Sequence, residues 1–266
     1  MTRDVDSGGL ARALLEAYRT GVPIAPLSET NPGLGVEEAY AIQAAQVAAW
    51  VAEGQSVRGY KVGLTSKAMQ AQLGVDQPDF GLLMDPMFYG DGETLEISRF
   101  IAPRIEPEIA VILGRDLRGP GVTVADVVDA VESVVGALEL IDSRIADWRI
   151  TLPDTVADNA SSAGVVLGTR RLSLAEIDVE SAAAVLSMND HVVGQGTGAA
   201  VLGSPLNAVC WLANRLGEFG VTLHANSVVL PGAVCASVAV GHGDRVVADF
   251  GPLGTVSIAF GAKEQS

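Results

Sequence analysis

The sequence predicts an α+β fold in which helices come first and β-strands follow. Two segments near the N-terminus carry apolar residues at helical spacing, whereas the chain beyond residue 57 breaks into short β-branched runs separated by glycine and proline. These runs do not alternate regularly with helices, which argues against a doubly wound parallel sheet. We therefore expect an N-terminal helical layer over residues 1–56 and a mainly β domain over residues 57–266, packed as one compact unit.

Start and stop signals define the predicted helices. Ser7 can cap a first helix that extends to about Arg19, and Gly54 stops a second helix over residues 36–53. Further along the chain, a capped segment over residues 123–133 and a segment that starts with proline over residues 205–216 predict two more helices between strands.

Short β-branched runs bounded by turn residues predict the strands. The runs are residues 58–62, 105–113, 134–141, 165–168, 185–193, 222–230, 234–240, 245–250 and 255–260. Because the last four follow one another with turns at residues 231–232, 241–244 and 252–254, we expect the chain to end in antiparallel β-structure.

The composition restricts the class of partner. The 266 residues include 17 lysines and arginines against 32 aspartates and glutamates, a formal net charge of -15, which argues against non-specific binding to nucleic acid or to an anionic membrane. The longest apolar run, residues 228–240, is broken by Pro231 and Gly232 and is shorter than the roughly 20 residues of a membrane-spanning helix. The N-terminus lacks the regions of a signal peptide, so we expect a cytoplasmic protein that binds a small molecule.

Several common active-site signatures are missing. Cys210 and Cys235 lie far apart without a CxxC spacing, which favours free thiols over a disulfide or a zinc site. The sequence has no phosphate-binding GxxxxGK[ST], no GxSxG and no HExxH, and its three histidines are isolated from one another.

The most informative segment is a pair of glutamates in one predicted strand. Glu106 and Glu108 project from the same face, whereas Ile105, Pro107 and Ile109 point the other way. Two adjacent carboxylates are tolerated on a solvated surface, or around a hard divalent cation that prefers oxygen ligands. The spacing alone leaves both interpretations open.

A third acid favours the cation. Glu139 lies inside an otherwise apolar predicted strand, where an uncompensated carboxylate is costly to bury. A metal ion shared by Glu106, Glu108 and Glu139 would compensate it and leave positions for water and substrate. Asp142 and Arg144, just beyond, could form a structural ion pair.

Three other polar positions are candidates for a pocket. Lys61 lies on a mainly apolar strand, where it either extends to the surface or serves as an anion-binding or proton-transferring ammonium. Asp79 lies in a predicted turn over residues 78–81. The polar residues 157–162, which include Ser161, form either a capping loop or a pocket wall rich in donors.

Taken together, five motifs resemble the 2-keto-4-pentenoate hydratase and 4-oxalocrotonate decarboxylase family of the fumarylacetoacetate hydrolase superfamily. The resemblance extends from about residue 10 to Phe260, which is nearly the whole chain. The motifs are Gly59-Tyr60-Lys61-Val62-Gly63, Pro78-Asp79-Phe80-Gly81, Ile105-Glu106-Pro107-Glu108-Ile109, Glu139-Leu140-Ile141-Asp142-Ser143-Arg144 and Ala157-Asp158-Asn159-Ala160-Ser161.

The resemblance implies a fumarylacetoacetate-hydrolase-like mixed β-roll with N-terminal helices, in which residues 57–266 form the catalytic domain. It also implies one Mg²⁺ or Mn²⁺ ion, a small 2-oxo or 2-hydroxydienoic acid as substrate, a homo-oligomer, and an aldolase of the same pathway as a candidate partner. The residues that match family positions are Glu106, Glu108 and Glu139 for the metal, Lys61 and Asp79 for catalysis, and Ser161 with Lys61 for substrate binding.

Within that family, Asp79 and the segment over residues 142–148 look like the hydratase branch, since decarboxylase relatives tend to carry an apolar residue at the first position. We therefore expect a hydratase of meta-cleavage aromatic catabolism that converts 2-hydroxypenta-2,4-dienoate to 4-hydroxy-2-oxopentanoate. Two alternatives stay open: a decarboxylase of 2-oxohex-3-enedioate (4-oxalocrotonate), and a non-catalytic 2-oxo acid binding or assembly subunit.

Overall fold

The computed structural model describes residues 5–67, 70–71 and 74–262. Its first three helices form a layer at the N-terminus, and the first and third agree with the predicted segments to within one residue. Asp6, rather than Ser7, caps the first helix by accepting a hydrogen bond from Gly9 N at 2.9 Å. The helices are α1 Ser7–Thr20, α2 Leu27–Thr30, α3 Val36–Ala52, α4 Val124–Ala130, α5 Leu152–Ala157 and α6 Pro205–Glu218.

The strands form two mixed sheets. The larger sheet has the order β2-β1-β10-β5-β6-β7-β3, with β11 also paired to β5, and the smaller has the order β4-β13-β12-β8-β9. The strands are β1 Val57–Gly63, β2 Asp79–Met84, β3 Phe88–Tyr89, β4 Thr94–Glu96, β5 Arg104–Leu113, β6 Val131–Ile141, β7 Ser162–Leu172, β8 Ala183–Met188, β9 His191–Thr197, β10 Val228–Leu230, β11 Val238–Ala239, β12 Arg245–Asp249 and β13 Thr255–Gly261.

The long strands β5, β6 and β7 pair antiparallel at the centre of the larger sheet, and they determine where the acidic residues meet. The core contains Leu14 and Ile42 from the helical layer together with Ile109 and Leu138 from the sheet, so both parts of the chain contribute to it. Within the part of the chain that the structure describes, no helix is long and apolar enough to cross a membrane.

Two elements were predicted with the wrong boundaries, because the local residue pattern does not show where the chain changes direction. The helix predicted to end at residue 133 ends at Ala130, because Val131 adopts an extended conformation and pairs with Leu113 of β5. The single strand predicted over residues 185–193 is a hairpin of β8 and β9. Its turn is made by Asn189 and Asp190, whose φ values of 52° and 66° suit a tight hairpin turn.

The predicted antiparallel ending is only partly correct. β12 and β13 pair antiparallel, but β10 pairs parallel with β1 and β13 pairs parallel with β4. The strands predicted over residues 222–230 and 234–240 shrink to the three residues of β10 and the two of β11. Those partners are far away in sequence, so no local pattern could indicate the pairing.

The sequence predicts that Asp79 lies in a turn, but in the structure Asp79 begins β2. This strand pairs antiparallel with β1, so that Asp79 lies opposite Gly63 and Gly81 lies opposite Lys61. The pairing is a tertiary effect, because β1 and β2 are separated by residues 64–78, which contain no regular strand among the described residues.

Candidate functional site

Three glutamates from β5 and β6 converge as predicted. Glu106 and Glu108 lie two residues apart on β5, and Glu139 lies directly opposite Glu106 on β6. One carboxylate oxygen of each lies within 4.8 Å of the others. Ile105 and Ile109 point the other way and are fully buried in the core, so the alternation along β5 separates the acids from the apolar side chains.

The electrostatics of this cluster favour a cation. Burial, followed by the negative charge of Glu139, raises the pKa of Glu106 to about 8. The same two causes raise the pKa of Glu108 well above its ordinary value. Glu108 and Glu139 are fully buried, while Glu106 is half-buried, so the cluster opens toward solvent on the Glu106 side.

The donor set fits a hard divalent cation. Gly232 N donates a hydrogen bond to Glu108 Oε2 at 2.7 Å, which fixes that carboxylate. Among the described residues, the other oxygen of Glu108 and Oε2 of Glu139 have no hydrogen-bond partner although both are buried. Buried oxygens without partners are costly, and carboxylate oxygens are the ligands that Mg²⁺, Mn²⁺ and Ca²⁺ prefer. Glu106, Glu108 and Glu139 could therefore hold such an ion.

Lys61 is buried beside the acidic cluster and does not extend to the surface. Its Nζ lies 3.3 Å from Glu139 Oε1, and its side chain is 5% exposed. Burial alone would lower the pKa of this ammonium, but the charges of Glu139 and Asp79 outweigh it and raise the pKa of Lys61. A permanently charged lysine at this position can bind an anionic ligand next to a metal ion.

Asp79 is on β2, which pairs with one edge of the Lys61 strand β1, whereas β5 and β6 lie beyond the other edge. The Asp79 residue is 2% exposed. Thr155 Oγ1 donates to Asp79 Oδ2 at 3.4 Å, while Oδ1 has no partner among the described residues. Burial raises the pKa of Asp79, and Lys61 partly offsets the rise. A Cβ atom at Gly63 would lie 2.2 Å from Asp79 Oδ1, so the position of this carboxylate requires glycine there.

Ser161 ends a short left-handed turn between α5 and β7. Asn159, Ala160 and Ser161 have φ values of 52°, 51° and 54°, a conformation that costs about 1–2 kcal/mol for each residue with a side chain. The turn packs against β1 and β2. Ser161 Oγ is buried and has no partner among the described residues, so this hydroxyl is available to a ligand, and the pocket wall over residues 157–162 stays a prediction.

Asp142 and Arg144 do not form the ion pair that the sequence allowed. Arg144 Nε donates to Asp158 Oδ1 at 2.6 Å, with both side chains buried. Asp142 instead accepts hydrogen bonds from Ile101 N at 2.9 Å and Ala102 N at 2.7 Å. The Arg144–Asp158 pair therefore ties the segment after β6 to the residue just before the left-handed turn.

Sequence reasoning missed two contributors to the site. Thr155 binds Asp79, and Gly232 N binds Glu108. Ser162, which lies in the polar segment over residues 157–162 that the sequence singles out, carries a second buried hydroxyl without a partner among the described residues. The helix that carries Thr155 could have been found, because Thr151 and Asp154 form a capping box at its start. The role of Gly232 had no local signal, since a backbone N–H looks the same at every position.

A sequence model described as fumarylacetoacetate (FAA) hydrolase, C-terminal, matches residues 48–259. The chain belongs to the fumarylacetoacetate hydrolase family. Every candidate metal, catalytic and substrate-binding residue named above lies inside the matched range. The mixed sheets with N-terminal helices confirm the fold class that the sequence predicts.

Relatives within the fumarylacetoacetate hydrolase family cover nearly the whole chain. 2-keto-4-pentenoate hydratase 2 of Dechloromonas aromatica (strain RCB) is 46% identical over 261 residues, which are 98% of this chain and 100% of the relative. 2-hydroxyhexa-2,4-dienoate hydratase of Comamonas testosteroni is 45% identical over 93% of this chain and 94% of the relative.

Solved structures of the family include a close structural match. The 4-oxalocrotonate decarboxylase from Pseudomonas putida G7, complexed with magnesium and adipate, has a TM-score of 0.94 and 36% identity, and the match covers 98% of each chain. A second structure of that decarboxylase is complexed with calcium and acetate. Both of these structures of the decarboxylase therefore contain a divalent cation.

Proposed function

We propose that this protein is a metal-dependent hydro-lyase that adds water to 2-hydroxypenta-2,4-dienoate and forms 4-hydroxy-2-oxopentanoate. Relatives named as hydratases, at 46% and 45% identity over nearly the full length, support this reaction class. The observation that carries the proposal is the buried Asp79 carboxylate, whose Oδ1 is free of partners among the described residues and which lies beside Lys61. Hydration needs a base that activates water, whereas loss of carbon dioxide does not.

The proposed cofactor is Mg²⁺ or Mn²⁺, held by Glu106, Glu108 and Glu139. When bound, the ion supplies Lewis-acid polarisation of the substrate's 2-oxygen. Lys61 Nζ binds the substrate carboxylate, and Ser161 Oγ donates a hydrogen bond to it. The burial of Lys61 and Ser161 excludes competing water and strengthens both interactions.

The chain's own residues then handle the protons. The dienol proton moves from the 2-oxygen to C5, which gives an α,β-unsaturated 2-oxo acid with an electrophilic C4. Asp79 Oδ1 takes a proton from the water that adds to C4, and that proton is returned to C3. Because burial raises the pKa of Asp79, its carboxylate is a stronger base than an exposed aspartate.

The first experiment measures the ultraviolet loss of freshly generated 2-hydroxypenta-2,4-dienoate with Mg²⁺ or with EDTA, together with the product mass. Metal-dependent loss with a gain of one water supports the proposal, and D79N should abolish it while the exposed control D76N should not. Turnover of 2-oxohex-3-enedioate with release of carbon dioxide, and no hydration, would assign the protein to the decarboxylase branch. Metal and ligand binding without turnover of either substrate would indicate a binding or assembly subunit.

The resemblance to the 2-keto-4-pentenoate hydratase and 4-oxalocrotonate decarboxylase family also leads us to propose a homo-oligomer. The product carries a hydroxyl on C4, the carbon β to its 2-oxo group, which is the arrangement that an aldolase cleaves, so an aldolase is the proposed next enzyme. Light scattering of the purified protein tests the first point, and a coupled assay with a purified aldolase tests the second.

A further inference from the structure

The left-handed turn over residues 159–161 is held to β2 by one carboxamide. Leu82 N donates to Asn159 Oδ1 at 2.8 Å, and Asn159 Nδ2 donates to Leu82 O at 2.9 Å. The side chain thus satisfies both backbone groups of Leu82, as a neighbouring strand would. Asn159 is fully buried, so water cannot replace these two bonds.

The residue before Leu82 is shaped for the same contact. A Cβ atom at Gly81 would lie 2.4 Å from Asn159 O and 2.8 Å from Ser162 Oγ. Only glycine allows the turn to approach β2 this closely. Gly81 and Asn159 therefore form the two sides of one contact, which we call the turn clamp. The strand in this contact, β2, is the one that begins with Asp79.

The other end of the turn leaves the Ser161 hydroxyl without a partner of its own. Ser161 N donates to Asp158 O at 2.9 Å, and Ser161 O accepts from Asp142 N at 2.9 Å, so both backbone groups of Ser161 are occupied. Its Oγ is buried and has no hydrogen-bond partner among the described residues. The direction of this hydroxyl therefore depends on the backbone conformation of the turn.

We propose that Asn159 is a positioning residue: through the turn clamp it holds the strained turn on β2 and so directs the Ser161 hydroxyl toward the substrate. The inference rests on the proposed role of Ser161 in substrate binding. It predicts that Asn159 affects ligand affinity through Ser161 and not through the stability of the fold.

The test is a double-variant cycle of N159D and S161A. Aspartate keeps the size and the acceptor of asparagine but loses the donor to Leu82 O. The readout is the dissociation constant of 2-oxopentanoate, a 2-oxo acid that cannot be hydrated, measured by calorimetry on the Mg²⁺-loaded protein. We expect S161A to weaken binding by about 10- to 100-fold, as for a hydrogen bond to a charged group. N159D should weaken it by a similar factor, but by less than twofold when S161A is already present.

Asn214 provides a matched control. Its carboxamide also binds both backbone groups of one residue, accepting from Val122 N at 2.9 Å and donating to Val122 O at 2.8 Å. Asn214 lies on α6, which carries none of the candidate site residues. We expect N214D to change the affinity for 2-oxopentanoate by less than twofold. The affinity for Mg²⁺ should stay within twofold in all variants, because none of them alters a candidate metal ligand.

Two results would overturn the inference. If N159D weakens binding equally with and without S161A, the effect does not pass through Ser161. If S161A alone has no effect, the hydroxyl does not bind the ligand. Should N159D fail to fold, the same cycle is run with G81A, which disturbs the turn clamp from the strand side. A wild-type protein that binds 2-oxopentanoate but does not hydrate the dienoate would contradict the proposed function and leave the turn clamp standing.

Discussion

Glu106 on β5 lies directly opposite Glu139 on β6, so two carboxylates face each other across one antiparallel pair of strands. Like charges in that position destabilise a sheet. Lys61 offsets only part of the charge, and we infer that a bound cation compensates the rest, because Glu106, Glu108 and Glu139 together could hold one.

Metal binding should therefore stabilise the protein. At a free Mg²⁺ concentration one hundred times its dissociation constant, we expect the free energy of unfolding to rise by about 2.7 kcal/mol. Thermal unfolding with Mg²⁺ and with EDTA measures the difference. E139Q should lose most of it, whereas E132Q, an exposed position on the same strand, should retain it. An equal Mg²⁺ effect in both variants would contradict the assignment of the site.

Metal affinity should depend on pH in a defined direction. Burial and the charge of Glu139 raise the pKa of Glu106 from 4.5 to about 8, so the folded metal-free protein holds a proton that the unfolded chain has released. Its stability therefore falls as the pH rises from about 5 to about 8. Because Mg²⁺ must displace that proton, affinity should rise over the same range.

Calorimetric Mg²⁺ titrations in buffers of different ionisation enthalpy count the protons released. We expect more protons to be released near pH 7 than near pH 9. E106Q removes one of the titrating carboxyls and should reduce the release at pH 7. Unchanged proton release in that variant would assign the proton to another group.

Removal of the Lys61 charge should impair substrate binding and catalysis but not metal binding. We expect K61M to lower kcat/KM by about 10- to 100-fold, as for the loss of a hydrogen bond between the ammonium and the substrate carboxylate. Mg²⁺ affinity should not weaken, because Lys61 occupies one oxygen of Glu139 in the metal-free protein. K67M, which removes the same charge at an exposed position, should leave both properties unchanged. A K61M protein with normal kcat/KM would rule out the proposed role.

Gly63 should be required for the position of Asp79. A Cβ atom at this residue would lie 2.2 Å from Asp79 Oδ1, so G63A must displace the carboxylate or the strand. We expect kcat to fall by about 10²-fold or more, as for the misplacement of a catalytic group by about 1 Å, with little change in Mg²⁺ affinity. G241A is the control, since the nearest atom to its Cβ would lie at 3.8 Å. Steady-state kinetics on both variants decide the point.

The buried Arg144–Asp158 pair should matter more for stability than a surface pair. R144M leaves Asp158 buried without its cation, which costs about 3–5 kcal/mol. R149M breaks the exposed Arg149–Glu29 pair, which contributes about 0–1 kcal/mol. Urea unfolding measures the loss of stability in each variant. Both are measured at one fixed protein concentration, so that any oligomer contributes equally to the two values. Equal midpoints for the two variants would contradict the structural role of Arg144.

Local pattern predicted the first and third helices, the alternation along β5 and the placement of Glu139 on a buried strand. Each of these follows from the side-chain period of a single element. The extents of β10 and β11, the hairpin at Asn189 and the strand that begins at Asp79 were not predicted correctly. For β10, β11 and β2, the strand that each pairs with lies elsewhere in the chain. For the hairpin, a turn interrupts the run of residues that the sequence predicts as one strand.

The sequence by itself determined which side chains are available: two glutamates on one strand face, a third in an apolar strand, and a lysine between glycines. It also determined the family, because several motifs occur together in order. The tertiary structure decided that the three glutamates meet within 4.8 Å, that Arg144 pairs with Asp158 rather than Asp142, and that a left-handed turn binds β2 through Asn159. Those contacts join separate segments of the chain, and only the tertiary structure brings these segments together.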